Sequence, residues 1–525
     1  MTTHQTHWQP PSGVYNAAAD FVDRNVTEGR GARVAFGDPK RELTYAALQE
    51  RCNRFANALP RLGIGRERRL VLIMLDTVDM PAVFWGAIKA GVLPVPLNTL
   101  LPLDQWRYMI EDSRAEAVAI SAELLERATP LLDDIRSRRP LPVIVAGGTS
   151  TSNRIGLDAL LADSSASAQA ADTHADEVAF WLYSSGSTGN PKGTRHVHAS
   201  PMCTARLYGQ DVVGIRSDDV VFSAAKLFFA YGLGNGMSFP MSVGARTVLL
   251  PDRPAPDSVL ATLRTHHPTI FFGVPTLFAA LLAHPEIGPQ AGSERLRLCV
   301  SAGEALPEEI ARRWQQATGV EIVDGIGSTE MLHIFVSNRP GAVRYGSSGT
   351  PVPGYEAKVV DEEGRVAKPD EIGELLIKGP SAADGYWNQR AKSRKTFAGE
   401  WTYTGDKYRI GTDGFYYYCG RTDDMFKVSG NWVSPFEVES ALLTHPAVLE
   451  AAVIGKEDDD GLVKPKAFVV LKPSIAAGTD LSDELKAHVK TQAGPWKYPR
   501  WIEVRAELPK TATGKIQRFK LRAEG

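Results

Sequence analysis

Through the first 400 residues, short apolar runs rich in β-branched side chains alternate with longer amphipathic ones, and this alternation limits the possible folds more than any other feature. RLVLIML (69–75) reads as a strand buried on both faces. DMPAVFWGAIKAG follows as a helix, with Asp79 as its cap, Pro81 in its first turn and Gly91 closing it. VLPVPLN is the next strand, and the pattern recurs at EAVAIS (116–121) and PVIVAG (142–147). It recurs again at TIFFG (269–273) before a helix from Thr276, and at LRLCVSAG (296–303) before PEEIARRWQQATG. Such repetition predicts parallel sheets covered by helices, with phosphate loops where strands end and helices begin.

After about residue 345 the texture changes to short strands with Gly, Pro and Asp turns, which predicts antiparallel β structure. From about 424 a smaller unit begins, with a helix from Pro435, strands AVLEAAVIG and PKAFVVLK, a helix near 481–493 and a basic tail. The expected fold class is therefore α/β. A large N-terminal domain (1–421) of parallel, helix-covered sheets carries a β-rich subdomain at about 345–421, and a small α+β C-terminal domain spans 422–525. A chain of 525 residues is too long for one core, which fits this division. The Ser/Ala-rich stretch at 163–173 reads as a flexible surface loop.

A net charge of −2 without a long basic run gives no electrostatic case for nucleic acid. No apolar run reaches membrane-spanning length, and MTTHQTHWQPPSG lacks the marks of a signal peptide. Cys52, Cys203, Cys299 and Cys419 form no C-x-x-C pair and are expected to be reduced and mostly buried, in a cytoplasmic protein.

YSSGSTGNPKG (183–193) has the composition of a phosphate cradle, drawn from Ser184, Ser185, Gly186, Ser187, Thr188, Gly189 and Lys192. It is not a Walker P-loop, because Pro191 precedes the lysine and Gly193 stands where Ser or Thr would hold Mg²⁺. Another residue must supply the metal ligand. In GIGSTE (325–330), Thr329 offers a hydroxyl and Glu330 a hard oxygen, although a Gly-rich turn with a solvated Glu reads equally well. In YTGD, Asp406 suits two ribose hydroxyls or is a plain turn aspartate. In GRTDDMFKVSGNWVSPFEVE (420–439), Arg421 can donate to ribose or phosphate, Asp423 marks the domain boundary, and Gly430 leaves room for a thin substrate. The bland alternative is a charged linker. Lys515, near the carboxyl end in PKTATGKIQR, is either a solvated tail lysine or one that reaches into a site to neutralise phosphate charge.

Taken together and in this order, these stretches resemble the adenylate-forming superfamily of acyl-CoA synthetases, peptide-synthetase adenylation domains and luciferases. The resemblance runs from LTYAALQERCNRFANAL (43–59) through GELLIKGPSAADGYWN (373–388) to Lys515. It implies that Ser184 to Lys192 hold the β- and γ-phosphates of ATP, Thr329 the α-phosphate, Glu330 the Mg²⁺, and Asp406 and Arg421 the ribose. Gly303, Glu304 and Ala305 would line the adenine, with Asp324, Gly325, Ile326 and Gly327 on its other side. Ile326 departs from the tyrosine of many relatives, so an aliphatic face would pack on the base. Two half-reactions are implied: acyl-adenylate formation assisted by Lys515, then thiol attack after the small domain rotates about a hinge near Asp423 and presents Gly430 as the tunnel wall for CoA.

The acid pocket of such enzymes would here comprise Phe228, Phe229, Ala230, Tyr231, Gly327, His333 and Ile334. Aromatic lining favours a planar ring over a long chain, and FFAYGLGNG with STEMLHIF resembles benzoate–CoA ligases. The expected partner is thus a small aromatic carboxylate, with ATP, Mg²⁺ and CoA. Another aromatic acid (2-aminobenzoate, hydroxybenzoate or cinnamate), loading of a carrier protein, or a non-catalytic nucleotide-binding module are the alternatives, and a homodimer is left open.

Overall fold

The structure is a computed structural model describing residues 8–184, 190–428, 431–458, 462–473, 475–476, 480–494, 496–510 and 516–524. Ser185, Gly186, Ser187, Thr188, Gly189, Gly430 and Lys515 lie outside the described residues.

The apolar runs form two largely parallel sheets, as their two-sided burial requires. One is five-stranded and all parallel, in the order Leu93–Pro96, Arg69–Ile73, Ala117–Ser121, Val143–Ala146, Ile155–Gly156. The other is nine-stranded: Thr350–Pro351, Ile334–Ser337, Ile322–Gly327, Leu298–Ser301, Ile270–Gly273, Val220–Ser223, Arg246–Val248, Val34–Gly37, Glu42–Thr44. Its six inner strands run parallel, and its edges are antiparallel. Helix Asp79–Lys89 is buried along its whole length, beside helix Tyr45–Arg61. This explains a segment that is apolar on every face.

Several local expectations change. Asp79 is the first helical residue and caps nothing; its carboxylate instead binds Arg41, and Arg51 at 2.6 Å. The helix expected from Thr276 spans Pro275–Leu282, because Pro275 suits its first position. The Ser/Ala-rich stretch is irregular but tied down: Asn53, Asn57, Arg54 and Arg61 donate to its carbonyl oxygens. All four cysteines are free and buried.

The Ser/Gly-rich segment is followed by a strand and not by a helix. Val178–Ser184 and Lys192–Val197 pair antiparallel, with Ser184 opposite Lys192. Gly385–Tyr386 adds a third strand, Tyr386 opposite Thr194. The β-rich part carries Glu356–Val360, Gly373–Lys378 and Trp401–Ile410, and Tyr416–Arg421 pairs with the last of these. The C-terminal part holds Val448–Glu457, Val463–Leu471 and Trp501–Val504, with helices Pro435–Leu443 and Ser482–Ala493 over a core of its own. No described helix is long and apolar enough to cross a membrane.

Candidate active site

Glu330 sits in the turn between strands Ile322–Gly327 and Ile334–Ser337. The turn closes through the Leu332 amide, which donates to the Thr329 carbonyl oxygen at 3.1 Å, and the Met331 amide, which donates to the Ser328 hydroxyl at 3.2 Å. Leu332 pays for this with φ of 66°, a left-handed conformation that costs a branched residue about 1–3 kcal/mol. Gly327 is required by the same pairing, because a Cβ there would lie 2.5 Å from the His333 carbonyl oxygen.

Three other side chains converge on the Glu330 carboxylate. Tyr386 donates to its Oε1 at 2.7 Å, Ser184 donates at 3.3 Å, and Lys192 Nζ lies 3.6 Å away. Lys192 also donates to the Tyr386 hydroxyl at 3.1 Å and lies over its ring at 4.3 Å. Burial works to raise the Glu330 carboxyl, but Lys192, then Tyr386, outweigh it and hold the group below the usual carboxylate range. The donors are all hard oxygens plus one exchangeable cation, a set suited to Mg²⁺ and phosphate. Tyr386 was missed in the sequence. Its stretch GELLIKGPSAADGYWN marked the family resemblance, but only strand pairing with Lys192–Val197 carries the phenol to Glu330.

Asp406 and Arg421 stand opposite each other on paired strands, joined by a 3.0 Å ion pair, and Arg421 also donates to the Thr404 carbonyl oxygen at 3.1 Å. Asp406 raises the Arg421 guanidinium further above its usual range. Asp324 lies within strand Ile322–Gly327, and burial pushes its carboxyl far up. Its Oδ1 has no hydrogen-bond partner among the described residues. Gly303, Glu304 and Ala305 form the turn after strand Leu298–Ser301, Gly303 with φ of 94°. Ile326 is half-buried against the main core. Asp423 is exposed in the turn after Tyr416–Arg421.

Phe228 and Phe229 meet edge to face with centroids 4.5 Å apart, and Ala230 begins the short helix Ala230–Leu233. Tyr231 shares its hydroxyl between the carbonyl oxygens of Gly273 (3.2 Å) and Val300 (3.1 Å). It is therefore fixed by two strands of the large sheet. His333 is 3% exposed, ringed by Tyr208, Tyr231 and Phe239 at 5.4, 5.5 and 4.5 Å, and Ile334 beside it is buried. Its Nε2 faces the Tyr231 carbonyl oxygen at 3.3 Å and Asn235 Oδ1 at 3.0 Å. A carbonyl oxygen only accepts, so Nε2 carries the proton and Nδ1 is a bare acceptor without a partner among the described residues. Burial drives the imidazole down to about 3, so it is neutral. With its one N–H engaged, His333 has no donor for a substrate carboxylate; it shapes the aromatic wall.

Comparison with known proteins fits this geometry. Residues 22–387 match the AMP-binding enzyme family and residues 437–515 its C-terminal domain. The chain is 55% identical to a 4-hydroxybenzoate–CoA/benzoate–CoA ligase of Rhodopseudomonas palustris, covering 97% of this chain and 94% of the relative. A benzoate CoA ligase structure from Burkholderia xenovorans LB400 superposes with TM-score 0.90 at 51% identity, over 97% of this chain and 100% of that one. An anthranilate CoA ligase in complex with anthranoyl-AMP superposes with TM-score 0.92 at 44% identity, over 97% of both chains. With residues 22–387 matching the AMP-binding enzyme family and residues 437–515 its C-terminal domain, this chain belongs to the AMP-binding enzymes.

Proposed function

We propose that this protein is an ATP-dependent, AMP-forming benzoate–CoA ligase of the cytoplasm. The observation that supports the reading most is the turn 327–334, where Glu330 meets Lys192 at 3.6 Å while His333, three residues on, packs against Tyr231 with centroids 5.5 Å apart; we read the first contact as the nucleotide side and the second as the acid side. An acid ring held against that wall lies next to a phosphate site, as adenylation requires. The names of the three similar enzymes compared above, a 4-hydroxybenzoate/benzoate, a benzoate and an anthranilate CoA ligase, support the substrate class.

In the first half-reaction a benzoate carboxylate oxygen attacks the α-phosphorus, the bond to the bridging oxygen breaks, and pyrophosphate leaves. Lys192 and the Ser184 to Gly189 segment hold the departing phosphates, Thr329 the α-phosphate, Asp406 and Arg421 the ribose, and Asp324 the adenine amine. Lys515 supplies positive charge to the developing negative charge on phosphorus. Glu330 would hold Mg²⁺, which when bound screens phosphate charge. In the second half-reaction the CoA thiolate attacks the benzoyl carbon and AMP leaves, with the pantetheine passing Gly430 after the C-terminal domain turns about Asp423.

Pyrophosphate release with a panel of acids, with and without CoA, tests this. Benzoate is expected to exceed octanoate in kcat/KM by far more than the 10- to 200-fold that one methyl-sized ring substituent changes. Comparable values for octanoate and benzoate would refute the aromatic pocket.

A further inference from the structure

The two parallel sheets each reverse strand order at one strand. In the five-stranded sheet this is Arg69–Ile73, flanked by Leu93–Pro96 on one side and Ala117–Ser121 on the other. In the nine-stranded sheet it is Val220–Ser223, flanked by Arg246–Val248 and Ile270–Gly273. Ligands bind beyond the carboxyl ends of strands at such reversals. Here the two reversal points touch: Asp76, three residues past the first strand, accepts the Leu227 amide on both carboxylate oxygens at 3.3 Å, and Leu227 is four residues past the second. Phe228 to Tyr231 follow directly.

The contact is a buried charged node. Asp76 is 3% exposed, and Lys226 Nζ lies 4.0 Å from its Oδ2. Lys226 also donates to the carbonyl oxygens of Leu250, Pro251 (3.4 Å) and Asp252 (2.6 Å), which fixes the segment after strand Arg246–Val248. A carboxylate so enclosed is a costly way to hold one loop. Burial drives the Asp76 carboxyl up to about 6, with Lys226 opposing the rise. Neither residue belongs to the nucleotide side, and neither figures in the chemistry above.

We infer that Asp76 and Lys226 are positioning residues for the acid substrate: they pin the Phe228–Tyr231 wall to both sheets at once, so that acid binding, and not nucleotide binding, depends on them. The inference rests on the reading of Phe228 to Tyr231 as the acid wall. Its test uses Asp76→Asn, Lys226→Met and the double variant in the full-length enzyme, with the acid the native enzyme turns over best. Preference for octanoate in the native enzyme would overturn the benzoate reading alone; the node is judged on the ratio of acid KM to ATP KM. For Asp76→Asn the acid KM is expected to rise about 10- to 100-fold, the scale of a small misplacement transmitted from outside the chemistry, with ATP KM unchanged. Its melting temperature is expected to stay level or rise, since a buried charge has gone. Lys226→Met leaves Asp76 unpaired and is expected to damage acid KM more; adding Asp76→Asn should then recover part of the loss, a non-additivity a merely structural pair of contacts would not give in KM alone. An unchanged acid KM in Asp76→Asn, or acid and ATP KM rising in parallel, would overturn the inference, as would simple additivity in the double variant.

Discussion

Tyr386→Phe removes one oxygen from the centre of the candidate active site and leaves the ring in place. The phenol makes a 2.7 Å hydrogen bond to Glu330 Oε1 and accepts a 3.1 Å one from Lys192. A hydrogen bond to a charged acceptor contributes about 1.5–3 kcal/mol. In the nucleotide-free protein Glu330 keeps Lys192 and Ser184 after the substitution, so the loss falls at the lower end of that range. On the proposed reading Lys192 turns to phosphate when MgATP binds. Glu330 then depends more on Tyr386, and the substitution costs the bound state more than the free state. A difference of 1.4 kcal/mol is about tenfold in affinity, so MgATP is expected to bind about tenfold more weakly, with a matching rise in the Mg²⁺ concentration needed. Displacement of a fluorescent ATP analogue across a Mg²⁺ titration reads this directly, and a thermal melt without ligand confirms that the fold is intact. MgATP affinity and Mg²⁺ requirement both within twofold of the parent would refute the reasoning.

Gly234→Ala places a Cβ 2.4 Å from His333 Cδ2 and 2.8 Å from Nε2, where Asn235 and the Tyr231 carbonyl hold the ring. Overpacking of about 1–3 kcal/mol should lower the melting temperature and raise the benzoate KM; native values of both would mean that the ring swings freely. Lys515→Ala should abolish benzoate-dependent ATP–pyrophosphate exchange yet still convert synthetic benzoyl-adenylate and CoA to benzoyl-CoA, while Gly430→Leu should do the opposite. Equal damage to both half-reactions by both would remove the case for domain alternation. Acid should destabilise the fold through its buried histidines: burial depresses His196 and His198 to about 4 and His333 to about 3. Between the unfolded value near 6.5 and those values the unfolded chain binds more protons, so each histidine removes stability as pH falls, by about 1.4 kcal/mol per pH unit. Asp76 and Asp324, raised by burial, bind protons in the folded state over part of the same range and offset part of the loss. Urea unfolding at pH 7, 6 and 5 measures the slope, and a pH-independent midpoint would contradict it.

The strand–helix alternation was legible because parallel strands buried on both faces must be apolar at every position, as RLVLI is at Arg69–Ile73 apart from its first residue. The segment 183–193 was recognisable by its Ser, Gly and Lys content, but composition alone does not give its topology; the register of Ser184 opposite Lys192 shows a return strand. Asp79 failed as a cap for a related reason: a carboxylate at a helix start serves its amides or a nearby arginine, and Arg41 and Arg51 come from distant segments. Tyr386 and Asp76 were invisible because each acts through a partner more than 50 residues away, across a sheet edge or between two sheets.

The pairing of Lys192 with Glu330 bears on how such a site stays folded without its substrates. Each group alone would be a largely buried charge, with side chains 18% and 16% exposed, and removing one partner of such a pair is far costlier than the pair itself is worth. Joined through Tyr386, they neutralise each other. On the proposed reading MgATP exchanges these partners: phosphate replaces the carboxylate at Lys192, and the metal replaces the ammonium at Glu330. No buried charge is stranded at either end of the exchange. Substituting one of the two charged residues therefore does more than remove a ligand contact, because it strands the other in the empty site. Lys192→Met should then lower the stability of the ligand-free protein as well as its ATP affinity, and Lys192→Met combined with Glu330→Gln should recover the stability while leaving ATP binding impaired. A double variant no more stable than Lys192→Met would mean that the two charges are solvated independently and that the exchange of partners plays no part.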